Sequence, residues 1–576
     1  MQKLALRILG RFSRKTFIRS AWKNLNSLSE HDELSEALDT LISMSHEENE
    51  FIELITVIVD VLSEAPMASA FLCHIIDSAA LPSKETSHKI TARLLQKLKP
   101  GLCIYRTKSK RRTRINASII WSVLAEKLAG EISLSLFSDN VCTTLLDYLQ
   151  YGTDPNVRLF ALIALEKFGI TGQNKEKIMS SGRNIHKILL GLAKELQIIE
   201  NSSDNYTRRR QLKFCVEWAL KNTFDSGKGD DLEENSINPN VNVMLNPMDA
   251  TAHWKISPHG LEIRNDYSSF ESIRATMGVS SGRWFYEAIL LTNGIMQIGY
   301  ATERCMFGPD EGTGVGDDQF GFAFDGCRNV LWANGVSVPY GGNESWKPGD
   351  VVGVYMDIST CCVRFYLNGK DLGMAYPLNL TQFRRLAENG LHPALSFTSY
   401  QQAIINFGAE KFRYPPPSTY NYQTLNSRGQ LSLELRDSIQ KRVWRMSRYR
   451  PISVGSCWKQ QLEDTDEDFD AQCSICFAMP PVITLGPCNH DGFCADCAKM
   501  MHSCPLCRTP ISFRKPTNSN TCFPSTPTKL SISSTSASSS LSSPSTAIVL
   551  PPTPPLSRPA SSITSWDPDI LRSSEP

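Results

Sequence analysis

Apolar residues recur at three- and four-residue spacing from about His31 to Leu220, as in Leu34, Leu38, Leu41 and Ile42 and again in Phe51, Leu54, Ile55, Ile58, Val59 and Leu62. That period gathers apolar side chains on one helix face, so the spacing predicts an α-helical region over residues 1–225. After Phe224 the pattern gives way to Asp225-Ser226-Gly227-Lys228-Gly229-Asp230-Asp231, predicted as part of a linker over 226–245. From 246 to 412 the period becomes two. Short aromatic and β-branched runs such as Trp284–Ile289 and Val363–Leu367 are punctuated by glycine, and Asn368-Gly369 offers the positive-φ residues of a tight hairpin. Many short strands with regular turns predict an antiparallel β-sandwich. Residues 413–470 segregate charge, with Lys441, Arg442, Arg445, Arg448 and Arg450 followed by Glu463, Asp464, Asp466, Glu467, Asp468 and Asp470, and read as a charged linker holding one helix near Leu431–Met446. The tail, 513–576, is dominated by Ser, Thr and Pro; it cannot bury enough apolar surface to offset its chain entropy and is predicted to be disordered.

Within the helical region, Asp154-Pro155 starts a segment running Val157, Leu159, Phe160, Ala161, Leu162, Ile163, Ala164 and Leu165, with alanine at packing positions. This stretch resembles a HEAT or armadillo repeat helix, which implies a curved stack of helix pairs; a generic helical bundle is the competing reading. The first 29 residues carry seven Lys or Arg and no acid, which reads as a solvated basic helix. The brief Leu4–Leu9 run is too broken for a secretory core, and a mitochondrial presequence is the weaker alternative. A dense basic run, Arg106, Lys108, Lys110, Arg111, Arg112 and Arg114, reads as a solvated segment, with a nuclear address or an anion contact as the functional alternative.

At 576 residues the chain is long enough for three or four domains. Lys+Arg 60 against Asp+Glu 59 leaves a net charge of +1, which argues against a protein built to coat nucleic acid or anionic lipid. No run reaches membrane-spanning length, since Glu53 and Asp60 interrupt the best one, Phe51–Leu62.

The β-region carries a signature in six blocks: Ser281–Glu287, Gln297–Tyr300, Gly321–Asp325, Gly349–Val354, Phe365–Gly369 and His392–Ser396. In this order and at these intervals they resemble a SPRY domain. The resemblance implies a protein- or peptide-binding module whose rigid sheets present variable loops. The loops Ala301–Gln319 and Ser337–Lys347 are the expected reading surfaces, with Tyr340 and Trp346 as candidate anchors and a core or edge role as the alternative for each. No Ser/His/Asp or Cys/His constellation appears: His253, His259 and His392 stand apart.

Of the 17 cysteines, seven fall between 473 and 507. The rest are scattered as in a reducing compartment. The cluster reads Cys473-x2-Cys476-x11-Cys488-x1-His490-x3-Cys494-x2-Cys497-x6-Cys504-x2-Cys507, eight ligands, enough for two tetrahedral zinc ions. Disulfides and two sequential zinc fingers are the competing readings. The spacing resembles a RING finger. That resemblance implies interleaved sites, with Cys473, Cys476, Cys494 and Cys497 on one zinc and Cys488, His490, Cys504 and Cys507 on the other, over residues 471–512. It also implies a ubiquitin ligase that docks a ubiquitin-conjugating enzyme on Ile475, Met501 and Pro505, with Arg508 bridging to ubiquitin and no covalent ubiquitin intermediate on this chain. A RING dimer is a further, weaker analogy.

Three functions follow for comparison: a RING-type ubiquitin ligase whose SPRY loops select a protein substrate or peptide, a non-catalytic SPRY/RING adaptor, and a nucleic-acid-associated zinc protein working through Arg106–Arg114. The groove residues favour the first, and the charge balance weighs against the third. The expected location is the cytoplasm with nuclear access.

Overall fold

The computed structural model describes residues 11–26, 31–62, 68–99, 107–128, 130–197, 205–224, 240–375, 379–431, 483–486, 490–500, 504 and 511–516. The expected helix near Leu431–Met446, the acidic run, nearly all of the tail and most of the two linkers lie outside these residues.

The N-terminal region is helical, as its period predicts. Its helices are α1 (Arg11–Asn26), α2 (His31–Ser45), α3 (Glu48–Val61), α4 (Ala68–Ser78), α5 (Lys84–Leu98), α6 (Thr107–Lys127), α7 (Gly130–Leu136), α8 (Asp139–Tyr148), α9 (Pro155–Phe168), α10 (Gly172–Ser180), α11 (Ile185–Glu195) and α12 (Tyr206–Lys221). Their apolar faces share one core, in which α9 is buried along most of its length. The start of α9 is set locally: Pro155 takes the first turn, where its missing N–H costs nothing, and the Asp154 carboxylate accepts from the backbone N–H groups of Asn156 at 3.0 Å and Val157 at 3.4 Å. Two expectations change. The basic α1 is not simply solvated, because Ile18, Ala21 and Trp22 are buried in the helical core. The described part of the basic run lies on α6 and is partly engaged, Arg111 pairing with Asp154 at 3.0 Å and Arg114 lying over the Tyr148 ring. Among the described residues no helix is long and apolar enough to cross a membrane.

The second region is an antiparallel β-sandwich. One sheet runs β1 (Trp254–Ile256), β2 (Glu262–Asn265), β13 (Gln401–Asn406), β4 (Arg283–Leu290), β9 (Val351–Asp357), β10 (Cys362–Leu367) and β11 (Lys370–Ala375). The other runs β3 (Glu271–Arg274), β12 (His392–Phe397), β5 (Met296–Ala301), β6 (Gly321–Asp325), β7 (Val330–Ala333) and β8 (Val336–Pro339). Asn368 and Gly369 both have positive φ, as the predicted turn between β10 and β11 demands. Asn334-Gly335 does the same between β7 and β8. The central strands β4, β5 and β9 are buried on both faces rather than alternating. Phe412, Tyr420 and Tyr422 cover Phe285, Tyr355 and Tyr366 on the outer face of the larger sheet. Packing also extends the domain past the expected limits 246 and 412. Val241, Val243, Met244 and Leu245 enter the sandwich core, and β14 (Gln423–Thr424) pairs in parallel with β4. Asn426 Oδ1 then ties both ends together, accepting from the backbone N–H groups of Asn242 at 2.7 Å and Val243 at 3.2 Å.

The helical region and the sandwich are joined by a buried seam. Lys255 on β1 bridges Glu166 on α9 at 2.6 Å and Asp266 at 2.8 Å, and Asp266 also holds Arg264 at 2.6 Å. Arg210 on α12 reaches Glu262 at 2.7 Å, and Glu126 on α6 accepts from the Ser268 backbone N–H at 2.8 Å. Two aromatic residues cross the seam in opposite directions: Tyr400, at φ +66°, enters the helical core, and Trp218 of α12 enters the sandwich core.

Candidate functional site

The zinc-ligand region contains β15 (Ile483–Gly486), β16 (His490–Phe493) and β17 (Phe513–Pro516), in the sheet order β16-β15-β17, with α15 (Ala495–Met500) following β16; α13 (Leu380–Glu388) and α14 (Leu425–Arg428) belong to the sandwich. Its described core comprises Leu485, Phe493, Ala498 and Cys504. His490 opens β16, Cys494 follows it, and the backbone of Cys497 stands three residues on, in the first turn of α15. Arg514 on β17 donates from Nε to the Ala498 carbonyl at 2.7 Å, tying the segment after the last ligand to α15.

The decisive distance is 3.6 Å between His490 Nδ1 and Cys504 Sγ. Ligands at a Zn–S length of about 2.3 Å and a Zn–N length of about 2.0–2.1 Å, subtending a tetrahedral angle, stand about 3.6 Å apart. The two side chains therefore fit one shared ion. They stand fourteen positions apart in the chain. Of the eight expected ligands, the side chains of His490, Cys494 and Cys504 are described, and among the described residues no group of three His, Cys, Asp or Glu converges on one point. Cys473, Cys476, Cys488 and Cys507 lie outside the described residues, as do the groove positions Ile475, Met501, Pro505 and Arg508.

The sandwich corrects one candidate anchor. Trp346 is 1 % exposed and packs edge-on against Phe324, so its ring is a core element rather than a partner contact. Room for it comes from Gly326, where a Cβ would stand 2.5 Å from the indole. Tyr340 is half-buried against Phe324 and Phe365, and its hydroxyl donates to the Gly373 carbonyl at 2.8 Å while accepting from the Phe365 backbone N–H at 3.3 Å. Both its polar roles are thus taken inside the domain, and burial pushes its phenol up to about 12. Of the two expected reading loops, Ser337–Lys347 begins as edge strand β8.

The other loop, Ala301–Gln319, borders an open cleft of about 940 Å³ whose opposite wall is helical. The wall is formed by the end of α4 and the residues after it, among them His74, Asp77 and Leu81, facing Phe270, Gln297 and Trp332 of the sandwich. This composite wall was not visible in the sequence.

Comparison with known proteins follows the same division. Residues 283–410 match the SPRY domain family, and residues 469–514 match the zinc finger family of C3HC4 type, the RING finger. The chain carries both a SPRY domain and a RING finger. It is 38% identical over 167 residues to the E3 ubiquitin-protein ligase RKP of Arabidopsis thaliana, a match covering 29% of this chain and 12% of that protein. It is 29% identical over 177 residues to the ATP-dependent RNA helicase DDX1 of Xenopus laevis, covering 30% of this chain and 22% of that one. The chain thus matches less than a quarter of the length of either relative. Among solved structures, the SPRY domain of human HERC1 aligns at 14% identity and a TM-score of 0.24, covering 29% of this chain and 99% of that one.

Proposed function

We propose that this protein is a RING-type ubiquitin ligase that recruits a ubiquitin-conjugating enzyme through its RING finger and a protein partner through its SPRY domain. The observation carrying the proposal is the C3HC4 match over 469–514 in a sequence that keeps Ile475, Met501, Pro505 and Arg508 at the groove positions. The name of the Arabidopsis relative points the same way. Zinc here supplies folding free energy rather than chemistry: Cys473, Cys476, Cys494 and Cys497 would hold one ion, and Cys488, His490, Cys504 and Cys507 the other. Ile475 and Pro505 would offer the apolar contact, with Met501 beside them. Arg508 would hold ubiquitin in a reactive pose, so that catalysis is positional and electrostatic. The scattered cysteines outside the cluster suit the reducing cytoplasm as the place of action.

The adaptor reading shares the SPRY capture and lacks the transfer step, so one assay separates them: discharge of ubiquitin from a panel of loaded conjugating enzymes. Wild type stimulates discharge. Ile475→Ala removes apolar contact worth about 2–4 kcal/mol and abolishes docking with the zinc content intact. Arg508→Ala leaves binding of the unloaded enzyme nearly unchanged and lowers discharge strongly. Zinc-replete wild type that stimulates no enzyme of a broad panel would leave the adaptor standing.

A further inference from the structure

The cleft between the helical wall and the SPRY loops has a chemical bias. Asp310, Glu311 and Asp77 stand exposed along it, and Asp317 is half-buried in its wall. Against these four carboxylates the walls set two cations, Lys127 and Arg328, and Arg328 is already held by Asp325. Burial raises the Asp317 carboxyl pKa, and it raises that of Asp77 with Lys127 opposing; a further cation would relieve both.

A second observation is independent of charge. Gln297, 1 % exposed, lines the cleft, and its Oε1 has no hydrogen-bond partner among the described residues. The indole Nε1 of Trp332, also on the cleft wall, is buried without a partner as well. An orphaned buried acceptor and an orphaned buried donor are costly to keep, and a ligand bearing both functions would satisfy them. A peptide carrying a basic side chain has both: a guanidinium or ammonium to donate and a backbone carbonyl to accept.

We propose that this cleft binds a basic peptide segment of a protein partner, with an Arg or Lys side chain entering toward Asp317 and Gln297 and the helical wall closing the site from the side opposite the SPRY loops. The inference rests on the reading of the SPRY domain as a partner-capturing module and narrows the partner to one presenting positive charge. It also makes the site a joint property of two regions.

The test uses the full chain and fluorescein-labelled Gly-Arg-Gly-Arg-Gly, its lysine counterpart and its glutamate counterpart, followed by fluorescence anisotropy at low salt. One or both basic peptides bind at least tenfold more tightly than the acidic one, and added salt weakens them. The double variant Asp310→Lys/Glu311→Lys, altered at two exposed positions, weakens the basic peptide about tenfold. Ala80→Lys, on the helical wall, weakens it as well, which a site confined to the SPRY loops would not do. Equal affinity for acidic and basic peptides, or basic binding unmoved by all these changes, overturns the proposal. Capture of a protein partner that persists in the double variant overturns the cleft while leaving partner capture intact; a wild-type chain that captures no partner at all removes both.

Discussion

At the seam between α9 and the sandwich, four charged side chains, Glu166, Lys255, Asp266 and Arg264, are almost fully removed from water and paired with one another, with Gln211 and Gln402 accepting from Arg264 as well. In the RING finger the described core is four side chains, Leu485, Phe493, Ala498 and Cys504, of which Phe493 alone is large. The first region can bury ions because two large cores surround them. The second buries few apolar side chains among its described residues, and we propose that metal held by its Cys and His ligands supplies the folding free energy burial does not. The two halves of the molecule should therefore fail under different insults.

Chelation gives the largest contrast. Removing zinc from the full chain is expected to abolish the β16-β15-β17 sheet and leave the cooperative melting of the helical and SPRY regions unchanged, and native mass spectrometry of segment 465–515 should show two zinc ions lost together with the fold. A segment that stays folded with one ion or none would break the comparison.

Charge removal at the seam comes next. Asp266→Asn leaves Lys255 and Arg264 short of their shared partner and is expected to cost about 3–5 kcal/mol at neutral pH, read by denaturant unfolding, with zinc content unaltered. Burial raises the pKa of Asp266, but Arg264 and Lys255 outweigh it and hold it down at about 2. Its contribution is fully present above the unfolded value of about 3.9 and is lost as pH falls toward about 2, so wild type and variant should converge in stability across that window. Parallel curves would show that Asp266 is not the titrating member of the seam.

A finer probe is Tyr400→Phe. The hydroxyl meets Ser122 Oγ at 2.8 Å, but Ser122 also donates to the Ile119 carbonyl at 2.8 Å, so the loss should stay near about 1 kcal/mol. Smallest of all, truncation at Thr517 should change neither melting transition nor ubiquitin discharge.

The zinc ligands and the hairpin at Asn368-Gly369 were legible in the sequence because their physics is local: metal ligation fixes residue type and spacing within a few positions, and positive φ at two adjacent residues names its own turn. The seam was not, since Lys255 and Glu166 stand 89 residues apart and each reads alone as an ordinary surface charge. Trp346 misled for a related reason. An aromatic residue in a polar, glycine-rich loop looks exposed, and only Gly326, twenty positions earlier in the chain, makes the slot that receives it. The half-buried Tyr340 fell between the two readings.

The entry of Tyr400 into the helical core, with Ser268 held by Glu126, bears on how this protein can change over time. The turns at Tyr267–Phe270 and Thr398–Gln401 sit on the loop-bearing rim of the sandwich, yet they answer to helix packing, so a substitution there that altered partner choice would first have to preserve the seam. The exposed tip from Asp310 to Thr313 carries no such obligation. New specificities should therefore arise by drift in that one loop, across from a helical wall that stays put.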